Sequence, residues 1–201
     1  MDSILPELGG FSAFTIDAHG RAGGLSLMWD NLVTVHILSY SSHHIDAAIK
    51  WERYETEWQF SGIYGWPDTQ HKWKMGQLLS DLRSHSTLPW LVGGDLNEIF
   101  FHQEKRGGPL KPQSIIDNFQ EAFIDVGLFD LGYSGYDFTW SNFKTADATV
   151  EERLDRFCAD TDWSLLFPGA SVTHVDFDMS DHLPILLKCF PRDAVYSRKT
   201  S

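Results

Sequence analysis

The fold of this chain is decided by the stretch Leu91-Val92-Gly93-Gly94-Asp95-Leu96-Asn97-Glu98. The apolar run at residues 88–92 predicts a buried strand, and the two glycines after it allow a sharp turn and the close approach of another group. Asp95 and Asn97 follow at once, where a strand end presents side chains to a cleft, which is a typical place for hydrolytic chemistry. An ordinary turn rich in Asp and Asn explains the same residues, so the rest of the chain has to decide.

Composition indicates one globular domain. The chain has 201 residues, of which 42 % are hydrophobic and 14 % aromatic, which is enough for a real core and excludes a disordered chain. We predict a single domain over residues 1–190 and a disordered polar tail over residues 191–201. No apolar run approaches the roughly 20 residues that span a bilayer, and the N-terminus lacks the regions of a secretory signal.

The charge balance limits the kind of partner. Lys and Arg number 16 against 28 Asp and Glu, a formal net charge of −12. This argues against a protein that holds nucleic acid by bulk electrostatics. It does not argue against a metal-dependent nuclease, because the cleft of such an enzyme needs carboxylates and its substrate contacts are local.

The cysteines bear on the compartment. Cys158 and Cys189 have no metal-ligand spacing and lie in apolar runs, so we predict buried, reduced thiols. An intracellular location follows. The sequence does not distinguish nucleus from cytoplasm, and it does not give the oligomeric state.

Hydrophobic periodicity predicts about ten strands and two clear helices. Residues 25–29 and 32–38 are expected to pair as antiparallel strands in one sheet. Asp68 or Thr69 is expected to cap the first helix, whose inward face carries Met75, Leu78, Leu79 and Leu82.

The second helix is expected to open at Ser114, with Asp117 completing an arrangement like a capping box. Its inward face carries Ile116, Phe119, Phe123 and Val126, and it stops at Gly127. The loop before this helix, at residues 100–112, contains three cations close in sequence to Asp95 and Asn97: Lys105, Arg106 and Lys111. A solvated loop and a phosphate-contacting loop both explain these cations.

Polar residues stand at four predicted strand ends: Tyr64, Asp95 with Asn97, Asp155, and Asp181 with His182. In a turn the side chains of Asp181 and His182 diverge, so the carboxylate suits a hard divalent cation and the imidazole suits a water or a phosphate. A catalytic imidazole needs an orienting carboxylate on its other nitrogen, and Asp155 is the candidate. The alternatives are a surface histidine and an Asp155 that pairs with Arg153 or Arg156.

Five motifs in fixed order carry a family resemblance: GIYGWP at 62–67, GGDLNEI at 93–99, YDFTW at 136–140, RLDRF at 153–157 and SDHLPI at 180–185. Their order and spacing resemble the endonuclease/exonuclease/phosphatase superfamily, which includes the apurinic/apyrimidinic endonucleases and pancreatic deoxyribonuclease. In finer detail LPWLVGGDLNEI, EKRGG, FTWSN, ERLDRF and SDHLPIL are similar to the endonuclease-like domains of plant LINE-type, non-LTR retrotransposons. The resemblance covers residues 23–187.

The resemblance implies an α/β (α+β) fold, a four-layer sandwich of two mixed β-sheets flanked by helices. It also implies hydrolysis of phosphodiesters with Mg²⁺, or with Mn²⁺ in its place, and a nucleic acid held in the cleft. By similarity, His182 is the general base and Asp155 orients it. Asp95 and Asn97 position the nucleophile and stabilise the pentacovalent phosphate, with the base role shared or disputed between Asp95 and His182. Tyr64 hydrogen-bonds a phosphate oxygen, and Asp181 helps to hold the metal.

One part of the family pattern has no counterpart here. The family begins with a strand that bears an SWN-type asparagine, and a later strand ends in a glutamate of the ET or ETK type, the principal metal ligand. Residues 1–22 are weakly patterned and contain neither, and Glu7 has no apolar strand before it. We therefore expect the first strands to be missing, with strand edges left open and Mg²⁺ held poorly.

Three functions remain open. The first is a metal-dependent, endonuclease-like phosphodiester hydrolase of retroelement origin, inactive where the N-terminal metal-ligand segment is missing. The second is a non-catalytic, truncated retroelement remnant. The third is a phosphatase of the same superfamily acting on a small phosphorylated molecule, which the acidic composition favours. Residues 1–201 alone are expected to cleave DNA little or not at all, and the sequence gives neither substrate nor cleavage specificity.

Overall fold

The structure of the chain is a computed structural model that describes residues 3–8, 10–17, 24–144, 148–177 and 180–191. Apart from Pro191, the predicted disordered tail lies outside the described residues. Within the described residues no helix combines the length and the apolar character needed to cross a membrane.

The strands, in chain order, are β1 (Ser3–Leu8), β2 (Phe11–Ile16), β3 (Leu25–Asp30), β4 (Thr34–Ser41), β5 (His44–Trp51), β6 (Thr56–Tyr64), β7 (Trp90–Asp95), β8 (Lys105–Arg106), β9 (Phe129–Asp130), β10 (Trp140–Ser141), β11 (Glu151–Glu152), β12 (Asp155–Ala159), β13 (Ser171–His174) and β14 (Ile185–Lys188). The helices are α1 (Lys74–His85), α2 (Gln113–Asp125) and α3 (Thr161–Leu166). The weakly patterned start of the chain therefore contains two strands that the sequence did not reveal.

A six-stranded mixed sheet with the order β4-β5-β6-β7-β12-β9 is the centre of the fold. The strand at Leu91 lies in its interior, as predicted, with β6 parallel on one side and β12 antiparallel on the other. The register places Asp95 opposite Asp155 in β12 and opposite Tyr64 in β6. Strand pairing alone therefore brings three predicted site residues side by side at one edge of the sheet.

Helices α1 and α2 cover one face of this sheet, in agreement with their predicted apolar stripes. Met75, Leu79 and Leu82 of α1 are buried in the same cluster as Phe119 and Phe123 of α2. The predicted capping box of α2 is wrong. Pro112 occupies the N-cap position, and the Asp117 side chain accepts a hydrogen bond from the Gln113 amide at 2.8 Å, because α2 starts one residue before Ser114.

The opposite face of the central sheet is covered by strands and by α3, which gives the α/β sandwich that was predicted. Trp163 and Phe167 pack against Trp58 and Leu91, and β13 pairs with β14 on the same side. The antiparallel sheet β1-β2-β3 packs through Phe14 against β5. The small sheet β10-β11-β8 lies beside the edge that carries the site residues.

The predicted pairing of residues 25–29 with residues 32–38 is wrong. Strand β3 pairs with β2, and β4 pairs with β5 in the other sheet. The reason is that Leu25 and Leu27 of β3 and Ile37 of β4 pack against one hydrophobic cluster between the two sheets. Stacking two sheets buries both apolar faces, which a hairpin between these strands would leave exposed to water.

Strands β3 and β14 each have one strand neighbour among the described residues. A shallow apolar groove runs between Leu32, which follows β3, and Leu187 of β14, with Trp51 and Trp58 in its floor. Each of these strands therefore has one edge without a strand partner among the described residues. The absence of the family's first strands stays a prediction.

Asp160 caps α3, since its side chain accepts a hydrogen bond from the Trp163 backbone N–H at 2.8 Å. Its other oxygen pairs with Arg83 at 3.0 Å. Asp160→Ala is expected to lower the free energy of unfolding by about 1–2 kcal/mol, because loss of an N-cap alone costs about 1 kcal/mol. Urea unfolding measures this, with Asp162→Ala on the same helix as the matched control. Equal losses in the two variants would contradict the capping role.

Candidate active site

A cleft of about 550 Å³ opens at the edge of the central sheet where β6 and β7 end. Five of the six predicted site residues line it: Tyr64, Asp95, Asn97, Asp181 and His182. The sixth, Asp155, reaches the cleft through His182. These residues come from segments that are far apart in the sequence, and the fold brings them to one place.

His182 is held by a carboxylate on one ring nitrogen. Its Nδ1 lies 2.8 Å from Oδ2 of Asp155, and its Nε2 lies 3.9 Å from Oδ2 of Asp95. The Asp155 carboxylate accepts a hydrogen bond from Nδ1–H, so the tautomer with an unprotonated Nε2 is favoured. The imidazole therefore presents a proton-accepting nitrogen to the cleft, beside Asp95.

The charge environment shifts two pKa values in this site. Burial lowers the pKa of His182, but the hydrogen bond to Asp155 and the nearby negative charges outweigh burial, and the net effect raises this pKa above its usual value. Burial, assisted by the charge of Asp155, raises the pKa of Asp95 to about 6. The two shifts have different main causes: burial raises the pKa of Asp95, whereas the hydrogen bond and the negative charges of neighbouring carboxylates raise the pKa of His182 against burial.

Asn97 directs its polar groups at Asp95 and at the backbone. It adopts a left-handed backbone conformation with φ of 56°. Its backbone N–H donates to Oδ1 of Asp95 at 2.9 Å, and its side-chain Nδ2 donates to Oδ2 of Asp95 and to the carbonyl of Gly65, both at 3.0 Å. An amide nitrogen has two N–H donors, so both are used here, and neither is left to donate to a phosphate.

The glycines of the central motif are required by close backbone packing. Gly94 has φ of 136°, and a Cβ on it would lie 2.2 Å from the carbonyl oxygen of Ile63. A Cβ on Gly65 would lie 2.1 Å from the carbonyl oxygen of Leu96. Glycine is the residue that permits both approaches, and these approaches set the position of Asp95.

The segment at residues 139–141 fixes the turn that carries Asp181 and His182, which the sequence did not reveal. Trp140 forms a β-bridge with His182, and its indole Nε1 donates to Oδ2 of Asp181 at 3.2 Å. The buried hydroxyl oxygen of Thr139 accepts the backbone N–H of Asp155 at 2.9 Å. The FTWSN motif therefore aligns both halves of the His182 pair.

Arg153 and Arg156 do not pair with Asp155. The fully buried guanidinium of Arg156 donates to Glu104 at 3.0 Å and to Asp130 at 2.9 Å, and Arg153 donates to Asp130 at 2.6 Å. This buried ion network anchors the loop after β7 to β12. It leaves the Asp155 carboxylate to the imidazole.

The three cations of the loop at residues 100–112 each have a carboxylate partner: Lys105 with Glu152, Arg106 with Glu151, and Lys111 with both Glu98 and Glu152. The loop is therefore not a row of free, solvated charges. Of these three cations, Lys111 lines the cleft, where Lys72 joins it.

The side chains of this site supply part of the ligand set that a divalent cation needs. Ligand atoms of Asp95, Asp155 and His182 all lie within 4.8 Å of one another. Two carboxylates close together in a partly buried site carry negative charge that a cation would neutralise, and burial together with the charge of Asp155 raises the pKa of Asp95. Asp181 lies outside this group, and Glu98 is occupied by two lysines, so Asp181 as a metal ligand stays a prediction.

Comparison with known proteins gives the family context of this geometry. The profile of the Endonuclease/Exonuclease/phosphatase family matches residues 2–182, and no curated protein sequence matches. The endonuclease domain of TRAS1, a telomere-specific non-LTR retrotransposon, is similar in structure with a TM-score of 0.71 at 17 % identity, covering 92 % of this chain and 82 % of that one. These values show a shared fold.

Two further solved structures share the fold. The AP endonuclease LMAP from Leishmania major has a TM-score of 0.66 at 12 % identity, covering 91 % of this chain and 72 % of its own. A mannosyl-6-phosphatase from Bacteroides thetaiotaomicron has a TM-score of 0.53 at 14 % identity, covering 91 % and 78 %. Similarity at this level of identity extends over nuclease and phosphatase structures alike.

Proposed function

The chain belongs to the endonuclease/exonuclease/phosphatase family, and we propose from this membership that it hydrolyses phosphodiester bonds of nucleic acid with a divalent cation. The observation that carries the proposal is the His182 imidazole, hydrogen-bonded to Asp155 at 2.8 Å and facing Asp95 across the cleft. A retroelement origin, of the plant LINE type, is supported by the motifs and by the similarity to the TRAS1 endonuclease domain.

In this proposal His182 Nε2 accepts a proton from the attacking water. Asp155 accepts the hydrogen bond from Nδ1 and stabilises the imidazolium that forms. Asp95, ionised above a pKa of about 6, lies on the other side of Nε2 and helps to position the water. Asn97 holds the Asp95 carboxylate through two hydrogen bonds, so it acts by positioning that group. Tyr64 is the residue proposed to donate to a phosphate oxygen.

Asp95 and Asp155 would hold the cation, with Asp181 as the further ligand proposed from the sequence. When bound, a divalent cation supplies positive charge to a phosphate oxygen. Mg²⁺ prefers near-octahedral oxygen coordination, and Mn²⁺ is the alternative ion. Two close carboxylates, with Asp181 as the predicted third ligand, are few protein ligands for Mg²⁺, so we expect slow cleavage by residues 1–201.

Nicking of supercoiled plasmid with Mg²⁺ or Mn²⁺ tests the proposal. We expect slow nicking that requires the cation and is lost in His182→Ala. His36→Ala is the matched control, because His36 is exposed on β4, far in the sheet order from the site. Nicking that is absent with both ions would support the non-catalytic alternative, and nicking that His182→Ala retains would contradict the role of His182 as the base.

A phosphatase acting on a small phosphorylated molecule is the second candidate. The fold similarity to the mannosyl-6-phosphatase and the net charge of −12 support it, since repulsion of a long polyanion does not apply to a small phosphate ester. Release of phosphate from a sugar phosphate, in the absence of plasmid nicking, is the result that would favour it.

A further inference from the structure

A chain of ion pairs, here named the lysine cluster, lies beside the candidate active site and consists of Lys72, Glu98, Lys105, Lys111 and Glu152. Glu98 is at its centre with 1 % of its surface exposed, and its carboxylate contacts Lys72 at 2.7 Å and Lys111 at 2.7 Å. Lys111 also contacts Glu152 at 2.8 Å, and Lys105 contacts Glu152 at 2.5 Å. Three ammonium groups face two carboxylates, so the cluster has one positive charge in excess.

Two of the three lysines reach the cleft. Lys72 and Lys111 line it together with Asp95 and Asn97, whereas Lys105 is not among its lining residues. Their side chains are 13 % and 19 % exposed. Part of each lysine side chain therefore borders the space where a substrate would lie.

Each of these ammonium groups has an N–H donor that is not used on the described residues. An ammonium group has three N–H donors. Among the described contacts, Lys72 donates to the carbonyl of Asn97 at 2.5 Å and forms an ion pair with Glu98. Lys111 donates to Glu98 and forms an ion pair with Glu152. Each ammonium group therefore has at most two described partners, and at least one N–H of each is left for a group in the cleft.

The neighbouring amide cannot take this role, because both N–H donors of Asn97 are already used on Asp95 and Gly65. We propose that Lys72 and Lys111 form a phosphate subsite that binds the non-bridging oxygens of a substrate phosphate. The proposal rests on the proposed function and names the groups that hold its substrate. Glu98 is a positioning residue, since it holds both ammonium groups at the wall of the cleft without touching the substrate.

The electrostatics agree with this geometry. Burial favours the neutral form of Glu98, but the charges of Lys72 and Lys111 outweigh burial and lower its pKa, so it stays ionised at neutral pH. Burial lowers the pKa of Lys72, and the charge of Glu98 offsets only part of that effect. A partly desolvated ammonium group interacts more strongly with an anion than a hydrated one does.

Binding of fluorescent single-stranded DNA of about 12 nucleotides, measured in EDTA over a range of salt concentrations, tests the subsite without cleavage. Lys72→Gln and Lys111→Gln are each expected to weaken binding about tenfold. Each is also expected to reduce the slope of log K against log salt by about 0.7. Lys105→Gln is the matched control, because it removes the same charge outside the cleft, from a lysine that shares its Glu152 partner with Lys111.

Competition distinguishes the source of the phosphate. Unlabelled DNA that displaces the probe far better than inorganic phosphate indicates a nucleic-acid strand, and equal displacement at equal phosphate concentration indicates a small phosphate ester. Both results support the subsite if they depend on Lys72 and Lys111. Unchanged affinity and salt slope in both lysine variants would overturn it.

Two further variants cover the case in which a single substitution unfolds the protein. Lys72→Arg keeps the charge and is expected to keep the salt slope. The double variant Glu98→Gln/Lys72→Met loses one charge of each sign. A lower slope of log K against log salt in this variant therefore reports the lost Lys72 donor and not a change in net charge. Lysine-dependent binding without cleavage supports the subsite and contradicts the catalytic proposal, whereas cleavage with lysine-independent binding does the reverse.

Discussion

His182→Ala is expected to lower the rate of plasmid nicking by about 10²–10⁴-fold, which is the usual contribution of a general base. The reason is that Nε2 of His182 is the nitrogen that faces the cleft, with Nδ1 engaged by Asp155 at 2.8 Å. The measurement is the initial nicking rate in Mn²⁺ at pH 8, with His36→Ala beside it. A loss of the same size in His36→Ala would mean that the effect is not specific to the site.

The pH profile gives this prediction a second readout. The pKa of His182 is raised, chiefly by its hydrogen bond to Asp155 acting against burial, and a protonated imidazole cannot accept a proton. The rate is therefore expected to fall as the pH drops through a midpoint above the usual histidine value. Asp155→Asn removes the main interaction that raises the pKa of His182. In this variant the fall in nicking rate is therefore expected at lower pH, and the rate at high pH is also expected to be lower. An unchanged midpoint would show that Asp155 does not set the pKa of His182.

Asp95→Asn is expected to abolish most cleavage and at the same time to stabilise the fold. The loss of rate is expected to be about 10²–10³-fold, because the carboxylate that faces Nε2 is removed. The gain in stability follows from the raised pKa of Asp95, about 6 in the folded protein. A charged carboxylate in this crowded site is less stable than in the unfolded chain, and the neutral amide removes that cost.

The sign of the pH dependence follows from linkage. Because the folded pKa is raised, the favourable contribution of the Asp95 carboxyl is full below its unfolded pKa and is lost as the pH rises through about 6. The stability advantage of Asp95→Asn is therefore expected to be about 2 kcal/mol larger at pH 7 than at pH 4.5. The lost hydrogen bond from the Asn97 amide subtracts about 1 kcal/mol at both pH values.

Urea unfolding in EDTA at the two pH values measures this difference. Asp125→Asn is the control, since it makes the same substitution at an exposed position at the end of α2. If the difference in unfolding free energy between Asp95→Asn and the unmutated protein is the same at both pH values, the charged form of Asp95 does not destabilise the fold.

The sequence by itself determined the strand at Leu91, the inward faces of α1 and α2, and the residues that meet in the cleft. These features depend on local information. Hydrophobic periodicity sets which face of an element is buried, and Gly94 reveals a backbone position that other residues cannot occupy. The family motifs then named Asp155 and His182, which the fold places 2.8 Å apart.

Only the tertiary structure decided which strand edges pair and which charges meet. Strands β3 and β4 have apolar alternation that suits a hairpin, and they separate into two sheets because stacking buries both faces. Glu98 pairs with Lys72 and Lys111, which are distant from it in the chain. One Asn97 donor is likewise used on Gly65, a distant residue. The pairing of a charged or polar group is set by non-local packing, which no local pattern of residues encodes.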